Sequence, residues 1–359
     1  MEMNALKKNL VVLGGGYGGL AVIHELLQKG LPSQIHITLI DRQPFQGLKT
    51  EYYALAAGTS SDSDLRVAFP QSPDVTIVLG EIQSFDQERK LVLVEGHDPV
   101  NYDYLIIGLG CTDHYHGVRG AEQYSYGIQT FKAAREAYTA LNNVAPYGTV
   151  TIVGGGLSGV EMASELRESR GDLNIAIINR GPRLLGGFPE GIQTYVAEWL
   201  IEHQVELLLN TQIESVEQQS LCVHGNDKPL NTDITLWTAG IQPVPIVQQL
   251  NAKKDASGRL MLNQHYQLLD DPTIFVVGDC AALPFSPSAQ VAGIQGEHIA
   301  HILLAIWRDK PIPVEQIKLR GTLGSLGKHC GFGVMGSMSI KGRVPRLIKS
   351  GILWRSKHF

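Results

Sequence analysis

Residues 9–29 read NLVVLGGGYGGLAVIHELLQK, and this stretch decides the fold. The run Leu10-Val11-Val12-Leu13 has the unbroken apolar character of a parallel strand buried on both faces. It meets Gly14-x-Gly16-x-x-Gly19 and then a helical stretch through Leu27. Gly14 permits a tight turn, Gly16 lets backbone approach a pyrophosphate, and Gly19 lets the helix pack close to the strand. The helix start, with Tyr17 in its first turn, offers N–H groups and a positive dipole end to phosphates. A second strand, Ile35 to Ile40, ends at Asp41, followed by Arg42. Asp41 stands 22 residues past Gly19, where a carboxylate accepts hydrogen bonds from a ribose.

The pattern recurs. Residues 148–166 read GTVTIVGGGLSGVEMASEL. Strand Val150 to Val153 leads into Gly154-x-Gly156-x-x-Gly159, with Ser158 inside the motif, and another helix. The next strand, Leu173 to Ile178, ends at Asn179-Arg180. Two fingerprints about 140 residues apart imply two dinucleotides in one chain. Asn179 occupies the place of the ribose-binding carboxylate, and an arginine such as Arg180 can pair with a 2′-phosphate, so the motif leaves NADPH open beside NADH.

The chain then returns to the first fold. Residues 102–110, YDYLIIGLG, and 273–281, TIFVVGDCA, read as buried strands, the first ending near Gly110 and the second just before Asp279. Ligands of open α/β sheets lie beyond the carboxyl ends of strands, which places Asp279 to bind a ribityl or phosphate-linked hydroxyl. The expected fold class is α/β, with two Rossmann-like domains, the second inserted in the first. Residues 1–111 and 241–320 are expected to bind FAD, residues 112–240 NAD(P)H, and residues 321–359 to form a basic C-terminal segment. A chain of 359 residues, 43% hydrophobic, has enough apolar mass for two cores.

Charge and cysteine usage narrow the function classes. The first 315 residues carry 21 basic and 35 acidic residues, whereas nine basic and no acidic residues follow Glu315. A basic tail on an acidic body points to one face meeting an anionic surface and argues against nucleic acid. Cys111, Cys222, Cys280 and Cys330 form no C-x-x-C pattern, which disfavours a disulfide scaffold or a metal site and fits reduced thiols in the cytoplasm. No run of about 18 apolar residues is present, and Leu10 to Leu13 is too short for a leader's apolar core.

Together these segments resemble the pyridine nucleotide–disulfide oxidoreductase superfamily, and within it type II NADH dehydrogenase, the non-pumping NADH:quinone oxidoreductase. Residues 45–59, FQGLKTEYYALAAGT, resemble that family's flavin-contacting segment and bring in Lys49 and Thr50. Trp237-Thr238-Ala239-Gly240 matches its WTAG element. Ser288-Ala289-Gln290 with Gln295-Gly296 resembles its flavin- and quinone-facing helix start, and Ser325-Leu326-Gly327-Lys328 its C-terminal segment near the flavin. The resemblance runs from about residue 9 to the end. The chain departs from the family at Tyr53-Ala54, where His-Glu is usual, and at Ile294, where glutamine is usual.

The resemblance implies an FAD-dependent NAD(P)H dehydrogenase. A hydride would pass from the nicotinamide to the flavin, and two electrons onward to a quinone. The implied catalytic residues are Glu161, near nicotinamide and flavin, Lys328, stabilising reduced flavin, and Gln290, facing the quinone. No nearby cysteine pair exists to take electrons from the flavin, so the acceptor would be reduced directly. A soluble acceptor such as ferredoxin, and a non-enzymatic FAD-binding redox sensor, stand as alternatives. Within KGRVPRLIKSGILWRSKHF, residues 341–359, Pro345 can start a short helix. Its apolar side would hold Leu347, Ile348, Ile352, Leu353 and Trp354, and Lys349, Arg355 and Lys357 would face anionic headgroups. That places the protein in the cytoplasm, peripheral on the inner membrane. A homodimer is compatible with this reading.

Overall fold

The structure, a computed structural model, describes residues 7–358; residues 1–6 and Phe359, at the ends of the stretches assigned above, lie outside the described residues. Two compact units form. The first contains Met1–Gly47, Val67–Thr112 and Gln242–Leu319, the second Leu48–Arg66, Asp113–Ile241 and Arg320–Phe359.

The first unit is built on five parallel strands, in the spatial order Ile274–Val276, Tyr104–Ile107, Lys8–Leu13, Ile35–Asp41, Val75–Leu79. Alternate residues of these runs serve opposite faces. Leu10, Val12, Ile37, Leu39, Ile106 and Phe275 join one core cluster, beneath the Tyr17–Gln28 and Ala289–Trp307 helices. Val11, Leu13, Ile40, Leu105, Ile107, Ile274 and Val276 join the other. A strand with cores on both sides has no polar face, which is why LVVL carries no alternation.

The second unit repeats this plan with Tyr126–Gly127, Ile234–Trp237, Thr149–Val153, Asn174–Ile178 and Val205–Leu208, again all parallel. The fingerprint strand is central in both sheets, and the strand that ends in Asp41 or Asn179 lies beside it.

The packing departs from the sequence reading in two stretches. Tyr52–Ala57 forms a helix whose six residues are all buried, with Tyr52 edge-on to Phe131 at 5.4 Å between ring centroids; it packs in the second unit. The basic tail is not a separate segment. Its strands Gly321–Leu326, Cys330–Met335 and Met338–Gly342 make an antiparallel sheet, and the Arg343–His358 helix packs on it within the second unit.

A histidine staple closes the first unit. His301 Nδ1 lies 2.7 Å from Glu315 Oε1 and its Nε2 lies 2.8 Å from Glu25 Oε1, joining the two helices to the chain that follows them. Burial pulls the imidazole down, but the two carboxylates outweigh it and the net shift is upward. A pKa raised on folding gives stability that is complete below the ordinary value of 6.5 and is lost as pH climbs through the folded one. Thermal melts of the native chain and of His301→Gln should therefore differ most near pH 6 and converge toward pH 9. A gap that widened with pH would refute this.

Candidate functional site

The two fingerprints share one geometry. Gly14 has φ +96°, and a Cβ there would come within 2.5 Å of Gly108 O. Gly154 has φ +110°, and a Cβ there would come within 2.9 Å of Ala239 Cα. Each turn is thus pressed against the end of the neighbouring strand, in a conformation that side chains disfavour. Gly19 and Gly159 sit at the helix–turn contact, where a Cβ would fall 2.1 Å from Gly14 O and 1.9 Å from Gly154 O. Gly16 and Gly156 are different: a Cβ on either meets nothing within 4 Å. Both are helix N-caps without a side-chain cap hydrogen bond. A diphosphate fits such an open, N–H-lined cradle.

In the first unit, Asp41 Oδ2 accepts from Gly15 N at 2.7 Å and Oδ1 from Gln43 N at 2.8 Å. Burial pushes its carboxyl up, against those bonds and the Arg42 charge. Arg42 is exposed and lies 3.7 Å from Glu81. Gly110 O accepts from Cys280 Sγ, and Asp279 Oδ2 from Cys111 Sγ at 3.0 Å, which joins the two returning strands just beyond their carboxyl ends. Gln295, fully buried, clamps that turn by accepting from Gly278 N and donating to Val276 O. Ser288 caps the next helix through Val291 N, leaving Ala289 and Gln290 half-buried in its first turn. The first unit therefore gathers Gly14, Gly16, Tyr17, Gly19, Asp41, Gly110, Asp279 and Ala289 at one sheet edge. Lys49 and Thr50 fall in the second unit, where Lys49 faces Asp113, a carboxyl that burial pushes up to about 7.

In the second unit, Asn179 Oδ1 takes the corresponding bond from Gly155 N at 3.1 Å. Thr238 ties the turn by donating through Oγ1 to Val153 O and Gly154 O, beside Ala239 and Gly240. Ser158 is half-buried in the first helical turn.

Glu161, on the same helix, is 4% exposed and sits in a charged cluster that the sequence did not reveal. Its Oε1 accepts from Ser325 N at 2.9 Å, from Ser325 Oγ at 3.1 Å and from Lys349 Nζ. Lys349 also reaches Tyr53 Oη and lies 3.5 Å from Glu51 Oε1, while Tyr53 Oη donates to Glu51 Oε2 at 3.0 Å. Burial alone would pull the Lys349 ammonium down; Glu161 and Glu51 more than offset this, and it is raised. Burial pushes Glu51 up, eased in part by Lys349, and pushes the Tyr53 phenol well up, with Glu161 and Glu51 adding to it.

This corrects the reading of the tail. Lys349 does not face outward to headgroups. The C-terminal helix docks through the side bearing Pro345, Lys349 and Leu353 and turns Val344, Leu347, Ile352 and Trp354 to the outside. Lys328 is exposed at a hairpin turn, its backbone N–H donating to Glu168; the lysine bonded to Glu161 is Lys349. The available signal was helical spacing: Lys349 lies four residues from both Pro345 and Leu353, on one face of the helix. Its partners are Glu51, Tyr53 and Glu161, a convergence that no local pattern encodes.

A model of the pyridine nucleotide-disulphide oxidoreductase family matches residues 8–300. The chain is 50% identical over 353 residues to the NADH dehydrogenase-like protein YutJ of Bacillus subtilis, covering 98% of this chain and 99% of that one. It is 26% identical to the type II NADH:quinone oxidoreductase of Staphylococcus saprophyticus, covering 96% and 94%. The fold matches NDH2 from Plasmodium falciparum, solved with NADH, at a TM-score of 0.85 and 17% identity, over 98% and 95% of the two chains.

Two substitutions separate the glycine roles. Gly154→Ala should destabilise by more than about 2 kcal/mol, from steric collision and positive φ, whereas Gly156→Ala should cost under about 1 kcal/mol yet weaken nucleotide binding. Denaturant titration with parallel nucleotide binding checks both; equal stability losses would refute the distinction. Lys349→Met, which strands two buried carboxylates, should cost about 3–5 kcal/mol, with part recovered by adding Glu161→Gln. A loss below about 1 kcal/mol in urea unfolding would show that the ion pair does not hold the C-terminal helix.

With its duplicated glycine turns and the family model spanning both, this chain belongs to the pyridine nucleotide-disulphide oxidoreductase family and is an oxidoreductase of the NADH dehydrogenase-like kind.

Proposed function

We propose that the protein is an FAD-dependent NAD(P)H:quinone oxidoreductase working at an anionic membrane surface. The observation that carries this reading is the duplicated cradle: Gly16 and Gly156 each leave open space at a helix start without a side-chain cap, once in each unit. In this reading Gly14, Gly16, Tyr17, Gly19, Asp41, Arg42, Gly110, Asp279 and Ala289 of the first unit hold FAD. Gly154, Gly156, Ser158, Gly159, Asn179, Arg180, Ala239 and Gly240 hold the nicotinamide nucleotide. Bound flavin would supply the acceptor for the nicotinamide's hydride and the two-electron donor for a quinone.

The chain's own groups orient and manage charge. The cradles fix the two diphosphates through backbone N–H groups and helix dipoles. Gln290, at a capped helix start, is assigned to the quinone. Glu161 accepts from Lys349 and from the two Ser325 donors. Tyr53, which donates through Oη to Glu51 Oε2, carries an exchangeable proton in the same cluster, a supply for the reduced quinone. We give Lys349 the electrostatic role that the family resemblance implied for Lys328.

For the membrane, support comes from the inverted C-terminal helix. Val344, Leu347, Ile352 and Trp354 are 59%, 70%, 56% and 61% exposed, flanked by exposed Arg343 and Arg355. An apolar arc with basic flanks suits an anionic interface. No helix among the described residues is long and apolar enough to cross a bilayer.

Anaerobic mixing should bleach the flavin with a reduced nicotinamide nucleotide. A menaquinone analogue in anionic vesicles should restore the colour faster than one in zwitterionic vesicles, and Leu347→Glu should remove that advantage. Reoxidation by ferredoxin but not by quinone would favour a soluble acceptor. An unbleached flavin would leave only a redox sensor.

A further inference from the structure

The two fingerprints of this chain differ at one decisive point. Asp41 ends the second strand of the first unit with a carboxylate, both oxygens accepting backbone N–H groups. Asn179 ends the corresponding strand of the second unit and keeps the glycine bond through Oδ1. Its Nδ2 donates to Gly181 O at 3.1 Å and to Arg183 O at 2.9 Å. Both amide protons are therefore spent on the following loop. An ionised carboxylate here would point an anionic oxygen at those two carbonyls, so the loop as built requires the amide.

The loop is fixed as well as shaped. Leu185 N donates to Gly155 O at 2.8 Å, Asn210 N donates to Gly181 O at 3.1 Å, and the Leu184 and Leu185 side chains are buried. This holds Arg180 and Arg183 beside the second cradle. Arg183 is paired with Glu190 at 2.7 Å. Arg180 is exposed and has no ion pair among the described residues. Next to Gly155 the second cradle thus offers a neutral amide followed by Arg180, where the first offers a carboxylate followed by Arg42, which is paired with Glu81.

Those two edges select different adenosine riboses. A carboxylate accepts from the free 2′-hydroxyl of NADH and repels a 2′-phosphate; a neutral amide beside an arginine does the opposite. We infer that Asn179 and Arg180 make the 2′-phosphorylated nucleotide, NADPH, the preferred reductant of this chain. The inference rests on the second cradle holding the nicotinamide nucleotide, as proposed above.

Calorimetry on the oxidised flavoprotein with NADP+ and NAD+ tests it without turnover. NADP+ should bind at least about tenfold more tightly, the worth of one charge-assisted contact. Arg180→Ala should weaken NADP+ by about tenfold and NAD+ by less than about twofold, and Arg180→Lys should recover part of the loss. 2′,5′-ADP should displace NADP+ better than 5′-AMP does. Tighter binding of NAD+, or an equal loss of both nucleotides in Arg180→Ala, would overturn the inference and leave the proposed function standing. Binding of neither nucleotide would overturn both.

Discussion

The structure depends on a close approach that only a missing side chain allows. At Gly19 and Gly159 the helix meets its own preceding turn so tightly that a β-carbon would lie about 2 Å from a carbonyl oxygen. Because the helix can sit that close, its first N–H groups open onto the carboxyl edge of the sheet. Because Gly14 and Gly154 take positive φ, the turn clears the end of the adjacent strand. Everything assigned to nucleotide binding in either unit follows from these backbone contacts, made twice with different surrounding residues.

A second constraint is electrostatic and belongs to the second unit alone. Glu51, Glu161, Tyr53 and Lys349 are all removed from water, an arrangement tolerated only when each charge has a partner. The lysine satisfies the carboxylates, and it comes from the C-terminal helix. That helix therefore carries a paired charge on its inner side, between Pro345 and Leu353, and leaves Val344, Leu347, Ile352 and Trp354 outside. An ordinary surface helix is arranged the other way round. The same cluster that sets the charge around Glu161 thus also determines which residues the tail presents to the exterior.

The two cradles share one fold and differ at the residue that closes the turn. The central fingerprint strand with its neighbour, the turn geometry and the bond to the middle glycine are retained between Asp41 and Asn179. What changes is the charge on a single side chain and the loop that follows it. The fold sets where a ribose can lie; the side chain at the strand end sets which ribose is welcome.

Much of the framework was legible in the chain itself. Local steric and hydrophobic rules act within a few residues, so LVVL followed by spaced glycines specified strand, turn and helix, and the repeat at residues 150–159 specified a second unit. Asp41 and Asn179 were located by spacing alone. Tertiary packing decided the rest. The helix Tyr52–Ala57 and the tail joined the second unit because their buried faces found partners far away in sequence. Lys349 reads as a surface charge in any local window, and only the convergence of residues 51, 53 and 161 makes it an interior one. Periodicity reports which side of a helix is apolar; which side is covered depends on the partners that meet it, and here charge pairing decided.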